Sequence, residues 1–318
     1  MRAAAAILVL NHIFSQAARP TTRARTRIGR RAALALPLAP TAAVAATRVD
    51  ARTVSYGPRE ADLYLQPGRR RPVVALLHDS LTASRGSLDA VARDVTARTA
   101  YHCVNFDYSG ADDVETAMEW LRGPKATALG LRNDVVLIGH GVGGQLAFRH
   151  ALRGSPKLRG TPTTSARLRG VVSVGAPLDL REAHALGIDV SGDSPIALLP
   201  PAMTSSLRTA DWTAWEESLV AETQFSLVHG LEDAVVAPAL STRFVVAAAT
   251  GGIPTEYHEI KGEGHGAVLD PASYSWRAAR AAAVEAVRKR PRPPETLRMA
   301  PTRRVDTDRE IVIRTLRM

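Results

Sequence analysis

Short apolar runs alternate along the chain with segments whose apolar residues recur every three or four positions. Apolar runs of this length predict buried strands of a parallel sheet. The runs lie at residues 73–77, 135–138, 171–174 and 225–228, and residues 101–106 and 256–260 are also predicted to be strands. The periodic segments predict helices and lie at residues 87–98, 113–121, 145–152, 239–249 and 276–287. This alternation predicts βαβ units and a mostly parallel sheet with helices on both faces.

Three further regions flank or interrupt this alternation. Residues 51–56 and 61–65 predict two short strands around a Gly-Pro turn. Residues 180–222 carry three prolines and two tryptophans, and two interpretations stay open: a small cap or insertion over the sheet, or an extended surface loop with one helix. Residues 291–318 are rich in proline and arginine, so we expect a disordered basic tail.

The charge of the chain is concentrated at its two ends. The 318 residues carry a formal net charge of +10, of which residues 1–48 contribute +8 and residues 288–318 contribute +6, so residues 49–287 carry −4. A mildly acidic body does not favour a nucleic-acid partner. No apolar stretch is long enough to predict a membrane span. Cys103 is the only cysteine, which excludes an internal disulfide and a cysteine-based zinc site, and we expect neither a metal nor a cofactor.

Residues 1–45 have the composition of a targeting leader. An early apolar run is followed by arginines among Ser, Thr and Ala without any acid, as in organelle transit peptides. Arg30 and Arg31 then precede a second apolar run, 32–38, and an A-x-A pattern at 43–45, which is typical of twin-arginine export signals. Two signals in series predict a plastid protein, with the thylakoid lumen as the more specific destination. A bacterial exported or periplasmic protein and a disordered extension are the alternatives.

The strand predicted at 135–138 leads into a glycine-rich turn, Gly-His-Gly-Val-Gly-Gly, at residues 139–144. The first, third and sixth positions of this turn fit the dinucleotide fingerprint G-x-G-x-x-G. That site needs an acidic residue about 20 positions later to hold the ribose. No acid occurs between Asp134 and Asp179. A dinucleotide-binding oxidoreductase is therefore the less favoured interpretation.

The same turn also fits the nucleophile elbow G-x-S-x-G, with Gly141 at the position of the serine. Three more motifs follow predicted strands in the expected places. His-Asp-Ser at 78–80 lies where hydrolases with this elbow often have His-Gly-Gly, residues 229–233 fit H-G-x-x-D, and residues 262–265 fit G-x-G-H. The order of elbow, acid and histidine is the order that this class of hydrolase requires.

These landmarks make residues 52–287 resemble the α/β-hydrolase superfamily. Tyr-Gly at 56–57 and Asp-Leu-Tyr-Leu at 62–65 are similar to the start of the feruloyl-esterase-like and kynurenine-formamidase-like branch. The resemblance implies one α/β-hydrolase domain over residues 46–290. Its inherited chemistry would be the hydrolysis of a small ester or amide by acyl transfer.

The resemblance also assigns roles to individual residues. Asp233 would be the acid that orients an imidazole, and His265 would be the general base. The backbone N–H of Val142 would be one oxyanion donor, and that of Asp79 or Ser80 the other. His140 would line the site as a buried residue of the turn.

Two residues depart from the pattern. Gly141 has no side chain with which to form an acyl-enzyme. The carboxylate of Asp79 would oppose the negative charge that develops in acyl transfer. Our preferred interpretation is a protein that has lost serine-type catalysis and keeps a site for a small-molecule ligand.

Several alternatives remain open at this stage. The dyad of His265 and Asp233 could activate a water molecule, which would give a weak hydrolase. Both residues could equally be idle remnants held by hydrogen bonds. An unusual nucleophile is a further alternative, with Ser80 and Ser226 as the nearest serines in motif terms.

Overall fold

A computed structural model describes most of the domain that the sequence predicts. The described residues are 49–68, 70–80, 83–153, 167–188, 195, 223–250, 253–288 and 312–314. The leader predicted at 1–45 lies outside them, as do most of the insertion at 180–222 and most of the tail at 291–318. No helix in the described ranges is both long and apolar enough to cross a membrane.

Nine strands among the described residues form one sheet in the order β1-β2-β4-β3-β5-β6-β7-β8-β9. The strands are β1 (Asp50–Tyr56), β2 (Arg59–Leu65), β3 (Arg71–Leu77), β4 (His102–Phe106), β5 (Leu131–His140), β6 (Arg167–Val174), β7 (Gln224–Gly230), β8 (Thr255–Ile260) and β9 (Val312–Arg314). Strands β3 to β8 are parallel to one another. The pairs β1–β2, β2–β4 and β8–β9 are antiparallel.

Helices cover both faces of this sheet. They are α1 (Asp89–Arg98), α2 (Ala111–Arg122), α3 (Pro124–Ala128), α4 (Val142–Arg153), α5 (Leu180–Ala185), α6 (Pro238–Thr250) and α7 (Tyr274–Arg288), with short 3₁₀ helices at Arg85–Leu88 and His265–Leu269. Side chains of α2, α4 and α6 pack into one hydrophobic core, and those of α1 and α7 pack into the other. The predicted sheet with helices on both faces is therefore confirmed.

Strand β3 shows why the sequence pattern predicts this architecture. Val73, Ala75 and Leu77 belong to the core under α2, α4 and α6, whereas Val74 and Leu76 belong to the opposite core. Successive side chains of a strand point to opposite faces. A strand between two helical layers must therefore be apolar at every position, which is the continuous run seen in the sequence.

The structure adds two elements to those that the sequence predicts. One is β9, which lies within the predicted tail and whose Ile313 pairs with His258 of β8. The β-branched Val312 and Ile313 favour an extended backbone, and β8 would otherwise leave its hydrogen-bonding edge uncovered. The interruption predicted at 180–222 begins with a helix, α5, whose first turn is capped by the Asp179 side chain.

The parallel arrangement decides where the candidate residues lie. The carboxyl ends of parallel strands lie at the same edge of a sheet, and ligands of open α/β folds bind there. Asp79 follows β3, Gly141 follows β5, Asp233 follows β7 and His265 follows β8. The topology therefore brings four residues that are distant in sequence to one edge.

The core between α4 and the sheet gives a test of the packing. Phe148 is fully buried, and its ring centroid lies 5.4 Å from that of Phe225 and 5.2 Å from that of Phe244. We expect Phe148→Ala to lower the free energy of unfolding by about 3–5 kcal/mol in urea denaturation. The exposed Val246 of α6 is the control, and Val246→Ala should change stability by about 0.5 kcal/mol or less. Equal effects of the two changes would contradict this packing.

Candidate active site

The turn between β5 and α4 is as sharp as the elbow motif predicts. Gly141 has a φ of +54°, a conformation that glycine adopts at little cost. Strand and helix also approach closely, because a Cβ at Gly139 would lie 2.2 Å from the carbonyl oxygen of Gly143. A Cβ at Gly143 would in turn lie 2.4 Å from the carbonyl oxygen of Leu77 in β3. The glycines therefore permit the contact between this turn and the end of β3.

The side chain of Asp79 fills the space above this turn. A Cβ at Gly141 would lie 2.3 Å from Oδ1 of Asp79 and 2.8 Å from its Cβ. Oδ1 also accepts a hydrogen bond of 3.0 Å from the backbone N–H of Val142, and the Asp79 residue is fully buried. One carboxylate thus fills the space that a side chain at residue 141 would occupy, and it takes the N–H that the sequence analysis predicts as an oxyanion donor.

The predicted acid and base are in direct contact. Nδ1 of His265 lies 2.8 Å from Oδ2 of Asp233. Gly175, which follows β6, leaves room for this pair, because its φ is +57° and a Cβ there would lie 3.0 Å from Oδ2 of Asp233. Gly175 belongs to none of the sequence motifs, and its only signal in the sequence is that it is a glycine directly after a buried parallel strand.

The other ring nitrogen of His265 faces Asp79. Nε2 of His265 lies 3.3 Å from Oδ2 of Asp79. The imidazole therefore bridges two carboxylates, those of Asp233 and Asp79. All three side chains are almost completely shielded from solvent.

This bridging position determines the protonation of the site. Burial disfavours a charged His265, but hydrogen bonds to Asp233 and Asp79 and the charges of both carboxylates outweigh it and raise the pKa of His265 from 6.5 to about 9. Burial likewise disfavours ionised Asp233, yet hydrogen bonds from His229, His265 and the N–H of Val236 hold its pKa well below the usual value. At neutral pH His265 is therefore an imidazolium, held between the carboxyl groups of Asp233 and Asp79.

A second layer of contacts fixes the orientation of Asp233. Its Oδ1 accepts hydrogen bonds from the backbone N–H groups of Val235 and Val236, at 2.9 and 2.8 Å. Nε2 of His229 lies 3.2 Å from Oδ2 of Asp233, and Nδ1 lies 2.7 Å from the hydroxyl of Ser241. His229 is therefore a supporting residue, as its buried position in β7 requires.

The two other histidines of the motifs support the loops of the site. Nε2 of His140 lies 3.0 Å from the carbonyl oxygen of His265, and the two rings are 4.5 Å apart. Burial, aided by the charge of His265, lowers the pKa of His140 to about 4, so this ring is neutral. The ring of His78 stacks on Tyr108, whose hydroxyl donates a 2.5 Å hydrogen bond to the carbonyl of His78. Tyr108, which sequence reasoning missed, thereby braces the loop that carries Asp79.

The two candidate serines lie apart from the imidazole. Ser80 is exposed, and Ser226 is buried in the first half of β7, away from the carboxyl end where His265 lies. Within the described part of the chain neither serine makes a hydrogen bond to His265. No group of three or more His, Cys, Asp or Glu side chains in those ranges is placed to hold a metal ion.

The strand order, the turn at Gly141 and the sheet-edge positions of Asp233 and His265 together define the α/β-hydrolase fold. This fold, predicted from the order of the sequence motifs, is confirmed by solved structures that match the chain over about three quarters of its length. No protein-family model and no curated protein matches the sequence.

Three of the similar solved structures are esterases. One is a truncated carbohydrate esterase from gut microbiota, 16% identical, with a TM-score of 0.54, covering 77% of this chain and 99% of that one. Another is a bacterial heroin esterase, 17% identical, with a TM-score of 0.54 and coverages of 78% and 86%. The third is a fungal esterase from Rhizomucor miehei, 17% identical, with a TM-score of 0.53 and coverages of 80% and 92%. At sequence identities of 16–17%, these matches show that the chain has the same fold as these esterases.

The charged state of His265 can be measured directly. We expect its imidazole to titrate near pH 9 in histidine-selective NMR of the full chain. Asp79→Asn removes one neighbouring anion and should lower the pKa of His265 by at least about one unit. Asp112→Asn, which changes an exposed acid of α2, should leave it unchanged. A His265 pKa below 7 in the unmodified protein would contradict the bridging arrangement.

The same charge contributes to stability in a defined pH range. The pKa of His265 in the folded state lies above its unfolded value of 6.5. The protonated ring therefore adds its full contribution to the free energy of unfolding below about pH 6.5, and this contribution is lost as the pH rises through 9. The pKa difference corresponds to about 3 kcal/mol.

Proposed function

We propose that this α/β-hydrolase-fold protein descends from hydrolases of esters or amides, has lost serine-type acyl transfer and retains a site for a small-molecule ligand. The observation that carries the proposal is the 2.3 Å between Oδ1 of Asp79 and the Cβ position at residue 141. A serine side chain at 141 and the carboxylate at 79 would overlap. The two residues therefore represent alternative ways of filling one space.

The electrostatics of the site support this proposal. Serine acylation needs a neutral imidazole as base and an empty group of N–H donors for the oxyanion. Here His265 holds a proton at neutral pH, and the N–H of Val142 already binds the carboxylate of Asp79. Both features also disfavour a weak hydrolase in which His265 and Asp233 activate water, because the base is occupied and the developing charge would meet an anion.

The dinucleotide alternative meets a similar obstacle. A pyrophosphate binds at the N-terminus of the helix that follows the glycine-rich turn. At the start of α4, the N–H of Val142 donates to Asp79 instead. A buried carboxylate at this position would repel a phosphate, so the site disfavours a nicotinamide or flavin dinucleotide.

The expected ligand class follows from the fold and from the motifs. The solved carbohydrate esterase and heroin esterase that share the fold are, by their names, enzymes that act on esters. We propose by analogy a small ester, amide or related molecule as the ligand of this chain, in line with the feruloyl-esterase-like and kynurenine-formamidase-like features of residues 56–65.

The proposal predicts that two changes are needed to restore an esterase. Gly141→Ser alone should be inactive, because the new side chain meets Asp79. Asp79→Ala would leave a Cβ only 2.8 Å from the Cβ at 141, so Asp79→Gly is the matching change. We expect the double variant Asp79→Gly/Gly141→Ser to hydrolyse p-nitrophenyl acetate at least about 100-fold faster than the unmodified protein, and to be labelled by a fluorophosphonate.

The controls for this experiment separate chemistry from folding. Each single variant should remain unlabelled, and His265→Gln in the double variant should abolish turnover while circular dichroism reports the fold. Strong ester hydrolysis with fluorophosphonate labelling of the unmodified protein would refute the loss of serine-type catalysis.

We also propose that residues 1–45 target the protein to a plastid, with the lumen as the final destination. The arginine pair Arg30-Arg31 supports this proposal. In a plastid import assay, Arg30→Lys with Arg31→Lys should leave entry into the organelle unchanged and block transfer to the lumen. Export from a bacterial cell combined with failure of plastid import would favour the periplasmic alternative.

A further inference from the structure

We propose that the amino-terminal edge of the parallel strands is a basic surface that binds the anionic headgroups of a phospholipid membrane. This edge lies at the opposite end of the strands from Asp79, Asp233 and His265. The inference therefore goes beyond the proposed function and does not depend on what the candidate active site does. A membrane bound at this edge would leave the candidate active site facing water.

Exposed basic side chains gather at this edge because strands begin there and helices end there. In a βαβ unit the helix runs back across the sheet, so its last turn lies near the start of the next strand. Six exposed residues at these strand starts and helix ends are basic, and together we call them the basic edge: Arg70 before β3, Arg98 at the end of α1, Lys125 in α3, Arg132 and Arg167 in the first turns of β5 and β6, and Arg288 at the end of α7.

Contacts before the start of β4 show that these elements meet. Nη1 of the half-buried Arg71, the first residue of β3, donates a 3.4 Å hydrogen bond to the carbonyl oxygen of Ala100. Burial raises the pKa of the next residue, Tyr101, and the charge of Arg288 and a hydrogen bond with it act in the opposite direction. The starts of β3 and β4 and the end of α7 therefore present their arginines to one region.

Acidic side chains do not neutralise the basic edge. Arg98 is paired with the buried Asp94 and Arg132 with Asp134, yet the two arginine side chains remain 68% and 50% exposed. The other four members of the basic edge form no ion pair with a described acid. Most of this positive charge is therefore available to a partner.

The arrangement favours an array of phosphates over one bound phosphate. Helices α1 and α7 reach this edge with their carboxyl ends, whereas fixed phosphate sites use the amino ends of helices. The charges are carried instead by long side chains from separate elements along β4, β3, β5 and β6, which span about 14 Å at about 4.8 Å between strands. Groups of about four to eight Lys and Arg are typical of surfaces that bind anionic lipids.

A nucleic acid fits the basic edge less well. In the described ranges no aromatic side chain is exposed, so the edge offers no surface on which unpaired bases stack. Duplex DNA is read by a helix or a β-ribbon that lies in its major groove, and α1 and α7 meet this edge end-on. These observations favour the lipid surface.

Vesicle co-sedimentation tests the basic edge with the full chain. We expect binding to vesicles of phosphatidylcholine with about one third phosphatidylglycerol, and much weaker binding to pure phosphatidylcholine. Because salt screens exposed charges, raising NaCl from about 0.05 M to about 0.5 M should weaken binding to the anionic vesicles at least about tenfold. Equal binding to both kinds of vesicle would overturn the inference, as would no binding to either.

A triple variant separates the basic edge from the basic ends of the chain, which it retains. Arg70→Gln/Lys125→Gln/Arg167→Gln changes three exposed residues that pair with no described acid, so its thermal unfolding by circular dichroism should match that of the unmodified protein. We expect it to bind the anionic vesicles at least about tenfold more weakly, because three attractions to the headgroups are lost.

The matched control removes the same charge from exposed positions at the carboxyl edge, where Arg181→Gln/Lys261→Gln/Arg277→Gln should bind as the unmodified protein does. Equal binding by the two triple variants would overturn the inference, because the attraction would then come from elsewhere in the chain. A mixed-sequence DNA duplex that binds more tightly than the vesicles in the same salt, and loses this binding in the first variant, would assign the basic edge to nucleic acid and would also overturn it.

Discussion

The buried carboxylate of Asp79 is the constraint on which the rest of the site depends. Burying an unpaired charge lowers the stability of a fold by several kcal/mol, so a buried carboxylate needs a partner at each oxygen. The structure meets this requirement with the N–H of Val142 on one oxygen and the ring of His265 at the other. Under the proposed function those two groups would be the oxyanion donor and the base of an ancestral serine hydrolase, so their contacts with Asp79 would remove both from acyl transfer.

Gly141 and Asp79 meet in a tight contact that neither could make with a larger residue at 141. Only a residue without a side chain leaves room for the carboxylate, since a Cβ at 141 would lie within 2.3–2.8 Å of three atoms of Asp79. Asp79 also determines the charge of the site. A neutral hydroxyl would leave His265 facing one anion, Asp233, whereas the carboxylate adds a second anion and keeps the imidazole protonated.

The fold itself does not choose between a binding site, an idle remnant and a new reaction, since one fold can host many functions. The sheet edge determines only that residues after β3, β5, β7 and β8 meet. What they do there follows from local chemistry, so the esterases that share this fold establish the architecture of the chain and not its activity. The fixed orientation of Asp233 and the braced loop of Asp79 indicate that the arrangement is rigid.

The sequence by itself determined the parallel strands and the longer helices around them, because a strand between two helical layers must be apolar throughout and the order of the motifs restricts the topology. It also identified Gly141, Asp233 and His265 as residues of one site. It missed β9, whose backbone pairs with β8 only in the folded sheet, and the supporting residues Gly175 and Tyr108. Only the tertiary structure decided that Asp79 fills the space beside Gly141, because that contact joins segments 63 residues apart and is set by packing distances of a few ångströms, which no local pattern records.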